Sequence, residues 1–214
     1  MCFLPAGQKQ VTGTPQQRPR TKAAIARQEI LAIAARKMRQ NGYADMSLRD
    51  LAAEAGMKAG SLYYHFPSKD ALATEVMRLG VEVVQRAVSD ALQQQPDASP
   101  RDRLVTAMRV HLETLLSAID FSSAHIRCYP FVPEKVRAEL TAVRRGYDQD
   151  WTIIISAYLG GSADEIEVRH MRYTLLGALN WSLEWYDPER DSVDEYVASL
   201  AKLLPEKQGL GHDV

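Results

Sequence analysis

A short stretch of the chain concentrates basic, hydroxyl and aromatic side chains of the kinds that bind phosphates and nucleic-acid bases. These side chains are Lys58, Ser61, Tyr63, Tyr64, His65 and Lys69. Ammonium, hydroxyl and imidazole groups donate hydrogen bonds to phosphate oxygens and to base edges. A helix with a purely structural role would carry Glu and Ala at such positions. The stretch therefore indicates a short helix that contacts nucleic acid.

The residues before this stretch predict a helix and a tight turn that would position it. Ser47 is a good N-cap, and Asp50 completes a capping box. Apolar residues then recur at helical spacing, at Leu48, Leu51, Ala52 and Ala55. Gly56 follows where a left-handed residue ends a helix, a conformation that Gly adopts without a side-chain penalty. Helix, glycine turn and second helix form the helix-turn-helix layout, whose second helix enters the DNA major groove.

Residues 25–75 resemble the DNA-binding domain of the TetR family of one-component transcriptional regulators. The residues that carry the resemblance are Gly42 and Tyr43, residues 47–52, Ala55 and Gly56, residues 60–66, and Lys69. Lys58 departs from the pattern, because the family more often has a small hydroxyl residue there. This change weakens the helix cap and adds a cation that can contact phosphate.

The resemblance implies phosphate contacts at both ends of the motif. Ser47 and Lys69, at helix starts, are expected to hold phosphates through hydroxyl, ammonium and backbone N–H groups. Tyr63 and His65 are expected to add phosphate contacts from the second helix.

Base contacts are implied for other residues of the same motif. Arg49, Lys58 and Tyr64 are expected to contact bases or backbone, with Arg best suited to a guanine edge. Small residues that let the second helix approach the bases are Ala59, Gly60 and Ser61. Leu62 and Phe66 are expected in the core instead.

Bulk composition is that of an ordinary globular protein. The chain has 214 residues, of which 46% are apolar and 25% are charged. It contains no run of 18 apolar residues and no signal-peptide pattern, so we expect no membrane span and a cytoplasmic location. Cys2 and Cys128 lie far apart, which argues against a disulfide framework.

The charge is distributed unevenly along the chain. Residues 1–70 contain 11 Lys and Arg against 5 Asp and Glu, whereas residues 71–214 contain 15 against 22. A basic part beside an acidic remainder is typical of a protein with one part that faces phosphates. On charge alone, a chance distribution of solvated side chains explains the pattern equally well.

The periodicity predicts an all-α fold of about nine helices with no strand. We expect a disordered basic arm at residues 1–21, a three-helix helix-turn-helix domain at 22–67, a helical ligand-binding and dimerisation domain at 68–206, and a disordered tail at 207–214. The arm is either a solubilising tail, which is the simpler reading, or a minor-groove contact. Outside the motif, the sequence predicts helices at residues 22–40, 122–128 and 133–159. Four further helices are predicted from their caps: one of about twenty residues after Ser68, one after Ser99, one that starts at Ser162 and reaches Tyr186, and one after Ser192.

The eighth helix is apolar on most of its circumference between Thr174 and Tyr186. Such a helix must be covered on two sides. A helix-turn-helix needs a second copy to read a palindromic site, and the resemblance implies a homodimer through helices 8 and 9. The alternative is a monomer in which helix 8 is deeply buried.

Aromatic and large apolar residues of the C-terminal part suggest a ligand pocket. The resemblance implies a small-molecule effector, and the candidate lining is Met108, Phe131, Tyr147, Trp151, Trp181 and Trp185. The segment GALNWSLEWYDP (177–188) is similar to a branch of the family whose repressors sense acyl-CoA thioesters. The alternative reading of these residues is core and dimer interface.

Metal and catalytic sites are not supported. His125 and Cys128 are three residues apart, but two ligands are too few for a metal site. No Ser/His/Asp arrangement or phosphate-binding glycine loop is present, so we expect neither an enzyme nor a cofactor. The predicted function is a repressor that binds a palindromic operator as a dimer and is released by a small apolar or acyl-CoA-type effector. Alternatives are an activator of the same fold, or an interaction protein that docks proteins on its helix-turn-helix.

Overall fold

The computed structural model describes residues 21–160 and 163–205, and within these ranges the fold is entirely helical. The α-helices are α1 (Lys22–Asn41), α2 (Leu48–Glu54), α3 (Ala59–His65), α4 (Lys69–Gln93), α5 (Pro100–Ser117), α6 (Ile119–Cys128), α7 (Glu134–Leu159), α8 (Glu165–Trp185) and α9 (Val193–Lys202), with a short 3₁₀ helix at Tyr129–Phe131. The all-α prediction is confirmed for the described residues. The predicted tail and all but the last residue of the predicted arm lie outside them, and the predicted domain boundaries stay a prediction.

Side-chain caps begin most of the long helices. Ser68 accepts a hydrogen bond from the Ala71 amide at 3.0 Å, and Ser99 accepts one from Asp102 at 3.1 Å. The cap of α8 is Asp164, which accepts from the Glu167 amide at 2.7 Å. Because α8 begins at Glu165, Asp164 takes the place for which the sequence suggested Ser162, a residue outside the described ranges.

The predicted turn between α2 and α3 is confirmed at Gly56. This residue has φ +63°, in the left-handed region. Its amide donates to the Ala53 carbonyl at 3.1 Å, and the Met57 amide donates to the Ala52 carbonyl at 2.9 Å. These two bonds close the end of α2 and direct the chain into α3.

The first of two apolar cores joins the helix-turn-helix to the rest of the protein. Leu62 and Phe66 of the motif are buried in it, as predicted. The same core continues into α6 at Ala124 and into α7 at Leu140. The helix-turn-helix therefore does not rest on an isolated core, and a shift of α6 would reach it through direct packing.

The second core lies among α5, α7, α8 and α9, with Met108 and Trp151 fully buried in it. Helix α4 contributes to both cores, through Leu72 in the first and Val84 in the second. It has 25 residues, which corresponds to roughly 37 Å. A helix of this length ties the two halves of the chain together.

Helix α6 crosses α4 at very close range and also touches α1. A Cβ built on Gly80 would lie 2.9 Å from the Phe121 carbonyl carbon, so only glycine permits this crossing. At the end of α6, the Cys128 thiol lies 3.4 Å from the Met38 carbonyl of α1. Helix α6 is thus wedged between α4 and the first helix of the DNA-binding part.

Within the described residues, no helix is at once long enough and apolar enough to cross a membrane.

Candidate nucleic-acid interface and ligand cavity

Helix α3 presents an open face to solvent. Tyr64 is 85% exposed and Tyr63 is 53% exposed. The residues at the start of the helix that are also exposed are Lys58, Ala59, Gly60 and Ser61. A Cβ built on Gly60 would meet no atom within 4 Å, so the packing of the protein itself does not require glycine there. The face has room for another molecule to approach the backbone closely.

Two cations beside this face have no partner among the described residues. Arg49 on α2 and Lys58 before α3 are exposed, and within the described ranges neither side chain forms a hydrogen bond or ion pair. The Ser47 hydroxyl is half-buried and makes no cap hydrogen bond with α2, contrary to the predicted capping box. These three groups keep their hydrogen-bonding capacity for another molecule.

Lys69 is held against the loop between α1 and α2. Its Nζ donates to the Ala44 carbonyl at 2.7 Å and lies 4.4 Å from the centre of the Tyr43 ring. The Tyr43 hydroxyl donates to Asp70 Oδ1 at 2.5 Å. Burial, together with the hydrogen bond and charge of Asp70, raises the pKa of Tyr43 to about 12. This cluster fixes the start of α4 against the helix-turn-helix.

Basic residues of α1 form ion pairs within the protein, although the charge distribution along the sequence predicted that the basic part of the chain faces phosphates. The ion pairs are Arg36–Glu54 at 2.5 Å, Lys37–Glu54 at 3.0 Å, Arg27–Glu75 at 3.0 Å and Arg39–Asp120 at 2.7 Å. Hydrogen bonds from Lys37 and Arg36 lower the pKa of Glu54. These pairs connect α1 to α2, α4 and α6. Much of the basic excess of residues 1–70 is therefore structural.

A cavity of about 260 Å³ lies among α4, α5, α6, α7 and α8. Its apolar lining includes Val81, Val84, Leu115, Ile126 and Leu176, and its polar lining includes His111, Ser122, His125, Arg144, Tyr147 and Asn180. Ligand pockets for drug-sized molecules usually measure about 300–1,000 Å³. The cavity therefore suits a small molecule, or the apolar part of a larger one.

On one wall of the cavity, three polar side chains are joined by hydrogen bonds. His111 Nδ1 lies 2.7 Å from the Tyr147 hydroxyl, and its Nε2 lies 3.1 Å from Asn180 Oδ1. Burial lowers the pKa of His111 to about 4, so the ring is neutral near pH 7. A neutral ring that donates a hydrogen bond from Nε2 to Asn180 accepts a hydrogen bond from the Tyr147 hydroxyl at Nδ1. Both ring nitrogens are thereby satisfied.

The α6 wall is different, because its polar groups lack protein partners. Ser122 Oγ and His125 Nδ1 are buried, and no described residue forms a hydrogen bond with either atom. Burial, with a smaller effect of the Arg144 charge, lowers the pKa of His125 to about 3, while a hydrogen bond to the Met77 backbone opposes that shift. Arg144 itself stacks on Tyr129, with 3.8 Å between the guanidinium and the ring centre.

Of the residues suggested for the ligand site, Tyr147 lines this cavity and the other five lie elsewhere. Met108 and Trp151 are buried in the second core, and Trp185 packs edge-on against Tyr196. Phe131 and Trp181 are 77% and 66% exposed.

The polar cavity lining of α5, α6 and α8 carries no sequence motif, because each of these residues is a single polar position in a largely apolar helix face. From sequence, His125 has only a possible metal role, together with Cys128. Among the described residues, no three His, Cys, Asp or Glu side chains are grouped as a metal site requires.

Exposed apolar side chains also lie along α8 and just after α9. The large ones are Ile166, Tyr173, Trp181 and Leu203. A groove beside them is lined by Met171, Leu175, Ala178, Leu200 and Leu204. Exposed apolar surface of this kind marks an interaction site more often than a solvated face.

Two family models match the sequence. The model for "Bacterial regulatory proteins, tetR family" matches residues 30–76, and the model for "Tetracyclin repressor-like, C-terminal domain" matches residues 97–206. The second match alone covers more than half of the chain.

Similar proteins agree with these matches. The HTH-type transcriptional repressor KstR2 of Rhodococcus jostii is 26% identical over 180 residues, which are 80% of this chain and 85% of that protein. The TetR family transcriptional regulator PfmR of Thermus thermophilus superposes with a TM-score of 0.70 at 25% identity, over 83% of this chain and 94% of that chain. AibR, crystallised with isovaleryl coenzyme A and operator DNA, shares the fold with a TM-score of 0.66 at 23% identity, over 84% and 97% of the two chains.

Proposed function

The chain belongs to the TetR family of bacterial regulatory proteins, which are DNA-binding transcriptional regulators and not enzymes, and from this premise we propose a specific mode of action. The protein is a repressor that binds a palindromic operator as a homodimer. A small apolar or acyl-CoA-type molecule enters the cavity and releases it from DNA.

The observation that carries the proposal is the open face of α3 beside the unpaired cations Arg49 and Lys58. Arg49, Lys58 and Tyr64 contact bases or the adjacent backbone in this proposal. Groups that hold phosphates are Ser47, Tyr63, His65 and Lys69, and the small residues that let α3 approach the groove are Ala59, Gly60 and Ser61. Since Lys69 is already bonded to Ala44, it meets phosphate in a fixed position.

Dimerisation through α8 and α9 supplies the second recognition helix. The exposed Trp181 and Tyr173 of α8 and Leu203 after α9 would be covered by the same residues of a second copy. A two-fold arrangement matches the symmetry of a palindromic operator. The packing of these side chains against each other removes apolar surface from water, which favours association.

The cavity is the proposed effector site. The cavity has an apolar part, formed by side chains of α4, α5, α6 and α8, beside a set of polar side chains that could orient a ligand. Its volume of about 260 Å³ suits a small apolar molecule or the acyl part of a thioester, with the remainder outside. The complex of AibR with isovaleryl coenzyme A shows an acyl-CoA ligand on a neighbouring member of the fold.

Coupling to DNA runs through α4 and α6 in this proposal. Gly80 and His125 line the cavity, and the same two helices pack against the helix-turn-helix through Leu72 and Cys128. A ligand that separates α4 from α6 shifts both helices against α1 and changes the distance between the two α3 helices. It releases the operator only to the extent that it binds the released state more tightly.

Selection of DNA from a randomised library by the purified protein tests the proposal. We expect enriched sequences with two inverted half-sites, and an affinity for them that falls steeply with salt because phosphate contacts release counterions. Absence of an enriched inverted repeat, or an affinity that does not change with salt, would contradict operator binding.

A further inference from the structure

We infer that Tyr43 and Asp70 are positioning residues for the operator contact, because they hold the Lys69 ammonium at the start of α4 without neutralising its charge. Neither Tyr43 nor Asp70 is among the proposed DNA contacts, and the inference concerns how Lys69 is kept ready for a phosphate. It rests on the proposed function, in which Lys69 binds the DNA backbone.

The three side chains meet at one aromatic ring. The Tyr43 hydroxyl donates to Asp70 Oδ1 at 2.5 Å, and Lys69 Nζ lies 4.4 Å from the centre of the same ring. The ammonium also donates to the Ala44 carbonyl at 2.7 Å, in an exposed position. The loop between α1 and α2 therefore holds both of the first two residues of α4.

The partners of Lys69 are uncharged, which distinguishes this cation from the basic residues of α1. Arg36 and Lys37 pair with the carboxylate of Glu54, and a charge that is paired in this way attracts a phosphate less. Among the described residues, Lys69 forms no ion pair, and its contacts are a carbonyl and a ring face. Such partners fix the ammonium in place, while its full charge and two of its three N–H donors stay available to a phosphate.

Asp70 is the carboxylate that would compete with a phosphate for Lys69 if it had no other partner. Both side chains reach the Tyr43 ring, so a carboxylate without the Tyr43 hydroxyl would have the flexible ammonium close by. Burial, with the hydrogen bond and charge of Asp70, raises the pKa of Tyr43 to about 12, so the hydroxyl stays protonated and keeps donating near neutral pH. The hydroxyl therefore occupies the carboxylate and leaves the ammonium to DNA.

The location of Lys69 at a helix start adds to its attraction for a phosphate. Lys69 is the first residue of α4, and Ser68 caps this helix by accepting a hydrogen bond from the Ala71 amide at 3.0 Å. The positive end of the helix dipole then reinforces the charge of the ammonium. Because the side chain is already held in the free protein, it also loses less rotamer freedom on binding than a mobile lysine would.

The test measures binding of the full-length protein to a fluorescein-labelled duplex of random sequence, by anisotropy at several KCl concentrations, since a phosphate contact acts on every sequence. We expect Lys69→Ala to weaken binding about tenfold and to reduce the slope of log K against log salt concentration by about 1 per subunit. Tyr43→Phe keeps the ring and removes the hydroxyl, and it should weaken binding about three- to tenfold.

Double variants separate positioning from a general effect on folding. If Tyr43 acts through Lys69, Tyr43→Phe should have no effect on binding in a Lys69→Ala background. If the released carboxylate captures the ammonium, Tyr43→Phe should also have no effect in an Asp70→Asn background, where that carboxylate is absent. A hydroxyl that only stabilises the fold would weaken binding equally in every background.

Tyr158→Phe is the matched control, because it removes a hydroxyl that donates to the Pro205 carbonyl at 2.5 Å, outside the helix-turn-helix. It should bind the duplex as the wild type does.

Three outcomes would overturn the inference: wild-type affinity in Tyr43→Phe, an equal loss of affinity in the Lys69→Ala background, or an equal loss in the Asp70→Asn background. A Lys69→Ala variant that keeps the wild-type affinity and salt slope would also contradict it, while selection of an inverted repeat by the wild type would still uphold operator binding. A wild type that binds neither the random duplex nor any selected sequence would contradict the proposed function and the inference together.

Discussion

Arg49 carries an exposed guanidinium on α2 that no described residue pairs with, and under the proposed function we expect it to contribute more than any other residue to operator choice. We expect Arg49→Ala to weaken operator binding by about 1–3 kcal/mol and to relax the sequence preference at one position of each half-site, because a bidentate contact to guanine is lost. Lys58→Ala should weaken binding to all sequences alike and reduce the salt dependence. Fluorescence anisotropy with the selected operator and single-base variants measures both effects.

Arg145→Ala is the matched control for Arg49→Ala. Arg145 is an exposed arginine of α7, remote in the chain from the helix-turn-helix, so its removal should leave operator affinity unchanged. If Arg49→Ala bound as tightly and as selectively as the wild type, the assignment of this residue to a base contact would be wrong.

The helices, the turn and the buried residues of the helix-turn-helix could be predicted from sequence because they lie within one local motif, and the DNA contacts assigned to it stay a prediction. Ser47, Gly56 and Leu62 are separated by at most fifteen positions, and each has a role that local backbone geometry or burial determines. The cavity residues could not be predicted in this way. His111 meets Tyr147 across 36 residues and Asn180 across 69 residues, and no pattern along the chain encodes such contacts.

At the scale of helices, the crossing of α4 and α6 at Gly80 determines how closely these elements approach. We expect Gly80→Ala to destabilise the protein by about 1–3 kcal/mol, because the new methyl group overlaps the Phe121 carbonyl and the helices must separate. The same separation should imitate the proposed ligand-bound state, so operator affinity should fall more than the stability loss alone explains. Urea unfolding and anisotropy titration of one preparation measure the two effects.

Gly146→Ala provides the comparison, since a Cβ at Gly146 meets only Gln85 Nε2, at 3.7 Å. It should leave operator affinity unchanged and raise the free energy of unfolding by up to about 1 kcal/mol, as replacement of a helical glycine usually does. An operator affinity that Gly80→Ala does not lower would show that the crossing is not part of the coupling.

Helix ends were predictable wherever a capping residue and its partner are neighbours in sequence. Ser68, Ser99 and Ser192 all accept the expected backbone hydrogen bond. The ion pairs of the α1 arginines could not be predicted in this way, since their partners Glu54, Glu75 and Asp120 lie on other helices. Helical periodicity predicts which side chains lie on the polar face of a helix. Tertiary packing then decides whether a charge on that face contacts solvent, DNA or another helix.

At the scale of the whole molecule, two buried neutral histidines make stability depend on pH. The pKa of His111 is about 4 and that of His125 about 3, both below the free value of 6.5. Below pH 6.5 the unfolded chain therefore binds more protons than the folded chain. The stability that they contribute is present above pH 6.5 and is lost as the pH falls toward the folded pKa values.

We expect the free energy of unfolding to decrease between pH 6.5 and 4.5 by up to about 1.4 kcal/mol per pH unit for each histidine. Glu54, Glu75 and Asp191, whose pKa values are also lowered, add to the loss only near and below their free values of 4.5 and 3.8. Urea unfolding across this range at constant protein concentration measures the slope. His111→Gln should flatten it, and substitution of the exposed His170 should not. An unchanged slope in His111→Gln would contradict a buried neutral ring.

In the proposed function, operator binding depends on the assembly of two copies of the chain. Trp181 is 66% exposed on α8, on the surface proposed to pair with a second copy. Trp181→Glu would bury a carboxylate without a partner in that apolar interface, a cost large enough to separate the subunits. We expect the variant to sediment at the monomer mass of 23.9 kDa, to keep its helical circular dichroism, and to lose operator affinity, because one recognition helix contacts only one half-site.

Phe131→Glu makes the corresponding change to an aromatic residue that is 77% exposed on the 3₁₀ helix and belongs to neither α8 nor α9. It should sediment as a dimer and bind the operator as the wild type does. A wild type that sediments at 23.9 kDa at micromolar concentration would contradict the dimer itself. A Trp181→Glu variant that remains dimeric would place the interface elsewhere, and the apolar side chains of α8 would then need a different partner.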